Sequence, residues 1–364
     1  MHETDRSVAE VVQSSREEMK AMTQVSDTYL REQLEKRREE VNLALAAAAP
    51  VMPAEPYLEL LGEVDTAIRR LDEGTFGECV ECHGTVEKER LIADPLTKVC
   101  LDCLSVDDRR ALERDLELAS SVQHGLLPDK NVQFGDWRIH YEYIPAGHVS
   151  GDYCDLITPR APDGRLIFLL GDVAGKGLAA SLLMTHLHAM FRSLSDSGAG
   201  AALELDKLLE TANRVFCEST FAGQYATLIC GSVGRSGELE LASAGHLPAL
   251  LVRREGVRQI GATGLPLGLF SSSRYAIQRA RLEPGDSVLL FTDGISEAGD
   301  PAGKEYGVRR LSSVAGERRR WAPREFLAGC LKDLKEHTAG TKQTDDQTLM
   351  VIHRGETTGA SLND

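Results

Sequence analysis

Aspartates stand where runs of apolar residues stop. Asp172 follows LIFLLG and opens Asp-Val-Ala-Gly-Lys-Gly. Asp293 follows SVLLFT and opens Asp-Gly-Ile-Ser-Glu297. Asp345 and Asp346 precede TLMVI, and Asp152 lies in Ser150-Gly-Asp-Tyr-Cys-Asp155. One Asp-Gly after a strand is ordinary turn chemistry. The same arrangement at four strand ends of one region points to a shared task. Carboxylates gathered at one sheet edge repel each other unless a cation sits between them. Several carboxylate oxygens with water select hard divalent ions such as Mg²⁺ or Mn²⁺.

A second ligand set is softer. Cys79-x2-Cys82 is followed, after seventeen intervening residues, by Cys100-x2-Cys103. Each short loop places two thiolates on one side, and two such loops supply a closed tetrahedron suited to one structural Zn²⁺. Cys79-Val-Glu-Cys82-His83 also matches the haem-attachment pattern. The second pair and the absence of an apolar export signal argue against haem. Cys154, Cys217, Cys230 and Cys330 are scattered and read as buried small hydrophobes.

Other chemistry fails on spacing. Gly171-Asp-Val-Ala-Gly175-Lys-Gly177 has three residues where a phosphate-binding P-loop needs four, and no Ser or Thr after the Lys. Cys154-x5-Arg160 matches the bare pattern of a cysteine nucleophile. Its loop carries a carboxylate and a proline where phosphate needs free N–H groups, and Asp155 would raise the thiol pKa. His246, in Ser-Ala-Gly-His, is either a general acid or a residue that holds a turn; both readings stand at this point. His186 and His188, two apart on a helix, do not face each other and read as surface or packing residues. Arg318-Arg319-Arg320 reads as a solvated basic face.

The elements that must position these residues follow from pattern. Residues 1–45 hold no Gly or Pro. A gapped apolar stripe (Val8, Val12, Met19, Met22, Tyr29, Leu34, Val41, Leu45) predicts a long helix. Prolines after the Ala run 46–49 stop it. Tyr57, Leu60, Leu61, Val64, Ile68 and Leu71 mark a second helix. The pair forms a helical hairpin, a dimeric coiled coil, or simply two packed helices. A helix over 105–127 presents Leu112, Leu116, Ala119 and Leu126, and Pro128 ends it. Beyond 137, apolar strands alternate with Gly and Asp turns, for example at 166–170, 225–230, 238–241, 287–291 and 348–352. Helices are predicted at 178–194, 201–219 and 323–337. Clustered helices in a strand-rich region mean α+β.

Composition narrows the function classes. With 56 Asp+Glu against 41 Lys+Arg, the formal charge is −15. Net charge therefore offers no attraction to nucleic acid or anionic membrane, and no direct nucleic-acid binding is expected. No apolar run reaches the roughly 18 residues of a membrane span. The polar start MHETDRSVAE lacks a signal-peptide core, so a cytoplasmic protein without membrane attachment is expected.

The ordered motifs GDYCD, GDVAGKG, SAGHLP, LEPGDSVLLFTDGISEA and TDDQTLMVI resemble the PPM-type metal-dependent Ser/Thr phosphatases, more narrowly the SpoIIE/RsbU branch. The resemblance runs from about 115 to 353. ELASSVQHGLLP is similar to the linker helix before the catalytic core of that branch. It implies two packed antiparallel sheets flanked by helices, with two Mn²⁺ or Mg²⁺ ions at one edge, or three. Asp172 would bridge two ions and the Val173 carbonyl would ligate one. Asp293 and Asp345 would complete the other shell. Asp152 would hold a water or a further ion. Asp155, Asp346 and Glu297 match motif positions, and Gly175 and Gly177 would let the loop run close to metal or substrate. Two such ions lower the pKa of a shared water, which attacks phosphorus in line. No Arg stands where eukaryotic members use one to grip phosphate. The branch implies a phosphorylated anti-sigma-factor antagonist as substrate.

The stretch LDEGTFGECVECHGTVEKERLIADPLTKVCLDCL resembles the DksA/TraR zinc-finger family through GTFG-x-C-x2-C, RL-x-A-x-P and the second C-x2-C. That resemblance implies zinc on the four cysteines and RNA polymerase as a partner. The sequence thus predicts helices at 1–73, a zinc finger at 74–104, a linker helix at 105–128, a phosphatase β-sandwich at 129–355 and a flexible tail at 356–364. The N-terminal module would sense a signal or bind a regulator, and its helices or the linker helix would support a homodimer. A regulator of transcription with an accessory phosphatase domain, and an inactive phosphatase-fold scaffold, are the alternatives.

Overall fold

The computed structural model describes residues 30–43, 45, 55–159, 164–196, 204–220 and 224–355. The expected stripe positions Val8, Val12, Met19, Met22 and Tyr29, the Ala run 46–49 and the tail 356–364 lie outside them. The chain divides into two compact units, Met1–Glu113 and Arg114–Asp364. The boundary falls within the helix Val106–Leu126.

In the first unit, helix α1 (30–43) packs on α2 (Glu55–Asp72). Arg31 pairs with Asp72 and Arg38 with Asp65 at 3.7 Å. Seven residues forward on one helix is seven back on the other, so the two run antiparallel. Leu34 is fully buried against Val64, Ala67 and Ile68, with Leu71, Phe76 and Leu96 packed around them. Of the described stripe positions, Leu34 and Val41 are buried and Leu45 is half-buried. Helix α3 (Lys88–Ala93), a 3-10 turn (Leu101–Cys103) and the start of α4 (Val106–Leu126) follow. Cys79, Val86, Leu91 and Cys100 form a small core of their own.

The second unit is built on two antiparallel sheets. The larger comprises β1 (Asn131–Phe134), β2 (Trp137–Ile144), β11 (Gln347–Arg354), β10 (Ser287–Phe291), β7 (Ala249–Arg253) and β8 (Gly256–Ile260), in that spatial order. The smaller runs β3 (Asp152–Ile157), β4 (Leu166–Val173), β5 (Ala226–Val233), β6 (Glu238–Ala244), β9 (Gln278–Arg281). Their inner faces share one core, including Trp137, Tyr141, Phe168, Leu170, Leu290 and Met350. Helices α5 (Gly177–Asp196) and α6 (Leu205–Ser219) cover the outer face of the smaller sheet. Helices α7 (Asp293–Ser296), α8 (Gly307–Glu317) and α9 (Pro323–Thr338) cover the larger. Strands buried on both faces read as continuous apolar runs, which is why β4 and β10 stood out in the sequence. This is the expected α+β sandwich flanked by helices.

Several boundaries moved for physical reasons. β4 extends to Val173, so Asp172 sits inside the ladder rather than after it, opposite Asp152 and Thr227. Asp293 is the first residue of a short helix instead of a turn residue. Helix α8 was not expected; its buried Leu311, Val314 and Ala315 form a short stripe among charges. No described helix is long and apolar enough to cross a membrane.

Candidate functional site

Strand alternation decides which side chains meet. On β4, Leu166, Phe168 and Leu170 face the inter-sheet core, so Asp172 continues that face at the strand end. On β3, Cys154 and Leu156 face inward, which places Asp152 there too. Asp152 and Asp172 are direct cross-strand partners. Asp152 is buried, and its Oδ2 accepts hydrogen bonds from the hydroxyls of Thr292 (3.0 Å) and Thr348. One carboxylate thus straps β3 to the ends of β10 and β11 in the other sheet. Burial pushes its pKa well up, and the two threonine hydroxyls oppose that.

Asp293 reaches the same end from the other sheet. Gly294 makes that approach feasible. A Cβ there would lie 2.0 Å from the Asp346 carbonyl oxygen and 3.3 Å from the Asp345 carbonyl carbon. Burial raises the pKa of Asp172 to about 7, with Asp293, Asp345 and Asp346 adding to it and Lys176 opposing it. Burial and then Asp345 raise Asp293. Exposed Glu297 is raised by burial and then by Asp293, Glu305 and Asp345, which sets it at the rim.

The structure turns one motif match, Asp155, away from this cluster and engages another, Asp346, at its edge. Asp155 lies three residues from Asp152, hence on the opposite face of β3. Arg192 of α5 donates to both its oxygens, from Nε at 2.8 Å and from Nη2. The Tyr153 hydroxyl (3.2 Å) and the Leu156 N–H (2.7 Å) also bond it, and His188 Nδ1 lies 3.5 Å away. Asp155 therefore anchors α5. Asp346 accepts the N–H groups of Ala146 (2.7 Å) and Gly151 (2.9 Å), so its carboxylate fixes the loop before β3.

Gly175 (φ +113°) and Gly177 (φ +71°) both take left-handed backbone, which suits glycine and carries the chain from β4 into α5. Between them, Lys176 donates from Nζ to Asp345 Oδ2 at 2.8 Å and to the Thr344 carbonyl at 2.9 Å. Sequence reasoning dismissed this lysine along with the failed P-loop.

His246 is fully enclosed. Nδ1 lies 2.9 Å from Thr227 Oγ1 and Nε2 lies 3.1 Å from the Phe291 carbonyl. Burial pulls its pKa down to about 4, so the ring is neutral, with Nε2–H donating to the carbonyl and Nδ1 accepting from the hydroxyl. It joins the ladder position opposite Asp172 to the end of the strand that delivers Asp293. Of its two readings, the structure supports the turn-holding one. Gln123 of α4, also missed, is buried. Its Nε2 donates to the Ser150 carbonyl (2.7 Å) and its Oε1 accepts the Ser150 N–H (2.9 Å), two residues before Asp152.

The cysteine cluster closes in the first unit. Cys79, Cys82, Cys100 and Cys103 place their sulfurs within 4.8 Å of one another. The Cys82 and Cys100 sulfurs are 3.7 Å apart. Zn–S bonds of about 2.3 Å in a tetrahedron give edges of about 3.8 Å, so the donor set fits zinc. The Gly84 and Cys100 N–H groups point at the Cys82 and Cys79 sulfurs, each at 3.4 Å. Backbone hydrogen bonding, from Cys100 first, draws the Cys79 thiol down to about 6, whereas burial pushes Cys100 up and the neighbouring Cys82 and Cys100 sulfurs push Cys103 up. His83 is exposed. Among the described residues, no other group of His, Cys, Asp and Glu is this tight. The aspartates of the acidic end do not form so tight a group.

The two-sheet architecture is similar in fold to a solved structure, the SiaA-PP2C domain of Pseudomonas aeruginosa. The TM-score is 0.60 and the identity 21%, over 68% of this chain and 98% of that one. The family model for stage II sporulation protein E (SpoIIE) matches residues 162–355, and the chain belongs to that family. The prokaryotic dksA/traR C4-type zinc-finger model matches residues 74–109. Protein IcfG of Synechocystis sp. is 26% identical over 66% of this chain and 41% of its own length. Phosphoserine phosphatase RsbU of Bacillus subtilis is 28% identical over 52% of this chain and 55% of its own. The chain spans about half the length of these curated relatives.

Proposed function

We propose that this chain hydrolyses phosphoserine or phosphothreonine on a protein, using two Mn²⁺ or Mg²⁺ ions held by Asp172, the Val173 carbonyl, Asp293 and Asp345. The observation that carries the reading is the convergence of Asp172, Asp293 and Asp345 at one end of the sandwich. Their mutual repulsion lifts Asp172 beyond what burial alone does. Such a set is stabilised by cations and offers only hard oxygen donors. Divalent cations bound there supply Lewis-acid activation of water and neutralisation of phosphate charge.

The chain's own groups do the rest. Thr292 and Thr348 fix one oxygen of Asp152, leaving the other as a donor for a water or a further ion. His246 fixes the end of β10 and with it Asp293. Asp346 and Gln123 hold the loop that leads into Asp152. The RsbU relative is named a phosphoserine phosphatase, which agrees with the substrate class. A phosphorylated anti-sigma-factor antagonist is the substrate we assign. The unit at 74–104 binds structural zinc, and the N-terminal module receives a regulator. Exposed Leu118 and Val122, one turn apart on α4, serve a homodimer.

Manganese-dependent hydrolysis of p-nitrophenyl phosphate by the full chain tests the reading. Asp172→Asn and Asp293→Asn are expected to reduce it to background. Variants as active as wild type would overturn it, and an inactive wild type would favour the scaffold alternative. An Asp172→Asn pull-down then identifies the trapped phosphoprotein. A second reading, contact with RNA polymerase, is favoured by the antiparallel α1–α2 pair beside a dksA/traR-type finger. Retention of purified polymerase by the full chain, lost in Cys82→Ser/Cys103→Ser, supports it. Equal retention by both rejects it.

A further inference from the structure

The acidic end has to receive a phosphate dianion, and no Arg stands where related enzymes use one. Lys176 is placed to answer this. Its Nζ bonds the one carboxylate, Asp345, that comes from the far end of the chain. The two flanking glycines, both left-handed, turn the chain at Lys176. The pair is also loose: the lysine side chain is 66% exposed and that of Asp345 38%. An ammonium has three N–H donors. Two are engaged, by Asp345 Oδ2 and the Thr344 carbonyl, which leaves one.

We propose that Lys176 is an exchangeable cation of the site: it competes with divalent metal for Asp345, and once displaced it binds the substrate's phosphate. The proposal rests on the phosphatase reading and adds a residue to it. Asp345 Oδ2 cannot hold the ammonium and a divalent cation at full strength together, because the two cations repel. The tether keeps the displaced ammonium beside the cluster. There the nearest strong anion is a phosphate, for which lysine serves as a mobile point charge. No covalent step is involved.

The test uses the full chain with Lys176→Gln and Lys176→Arg, titrated calorimetrically with Mn²⁺ and then, Mn²⁺-loaded, with inorganic phosphate. Lys176→Gln is expected to bind Mn²⁺ about three- to fivefold more tightly, since no ion pair is broken. The same variant is expected to bind phosphate about tenfold more weakly, with Lys176→Arg within about twofold of wild type. The side chain is exposed, so folding is not at stake. Unchanged or weakened Mn²⁺ binding in Lys176→Gln overturns the proposal, and so does unchanged phosphate binding. If wild type binds Mn²⁺ and hydrolyses p-nitrophenyl phosphate while either result fails, only the role of Lys176 falls. If wild type takes up no Mn²⁺, the phosphatase reading falls with it.

Discussion

The cysteine cluster draws four thiols from residues 79–103, whereas the acidic end draws its carboxylates from residues 152 to 345. The first closes within 4.8 Å around a core of a few residues. The second is spread over the ends of strands from two sheets that share a large apolar core. A site made from one short segment has little besides the ion to hold it. A site made by a sandwich is held by the sandwich, whether or not an ion binds. On the proposed reading, metal at the finger would act as a folding ligand and metal at the acidic end as a working ligand.

Zinc removal should show the largest effect. Structural zinc contributes on the order of 10 kcal/mol to small domains. Chelation of the full chain should abolish amide-exchange protection across 74–104 and leave β4 and β10 protected. Loss of protection in both places would erase the contrast. Next comes Gly294→Ala. The new Cβ would meet the Asp346 carbonyl oxygen at 2.0 Å, so the backbone must move apart. A cost of about 3–5 kcal/mol is expected in denaturant midpoints, with weaker Mn²⁺ binding and no change in the finger. A neutral outcome would mean that the close approach does not build the acidic end.

The smallest effect is in pH. Asp172 has a pKa of about 7 in the folded protein against an ordinary aspartate value near 4 unfolded. The folded state therefore binds the proton more tightly, and stability falls as pH rises from about 4 through 7. The loss is on the order of a few kcal/mol before divalent metal is added. His246 has the opposite sign. Its folded value of about 4 lies below the unfolded value, so its contribution is complete above about 6.5 and is lost as pH falls toward 4. Thermal midpoints from pH 4 to 8 should show the alkaline decline in wild type and a shallower one in Asp172→Asn, because Asp152 and Asp293 are raised as well. Superimposed curves would remove Asp172 as its source.

Local spacing made the finger fully legible: all four cysteines converge as their sequence predicts. Asp172, Asp293 and Asp345 stood out in the sequence because each lies at or beside the end of an apolar run that becomes a buried strand. Asp155 matched a motif, yet period-two alternation turns it toward Arg192 on α5. Asp346 matched too, but its oxygens go to backbone N–H groups more than 190 residues away in sequence. Thr292 and Thr348 carry no local signal, because their shared task on Asp152 arises only where two sheets meet. Lys176 was hidden by the pattern it failed to match.

The Gln123 amide bears on how α4 can move. A planar amide with one donor and one acceptor fits the Ser150 backbone like a two-pin plug. Sliding the helix by one residue carries a side chain about 1.5 Å along the axis and about 100° around it, and both pins leave together. A gradual pull on α4 therefore has no half-connected position to stop in. A one-residue shift of α4 would therefore uncouple the helix from the loop that leads into Asp152.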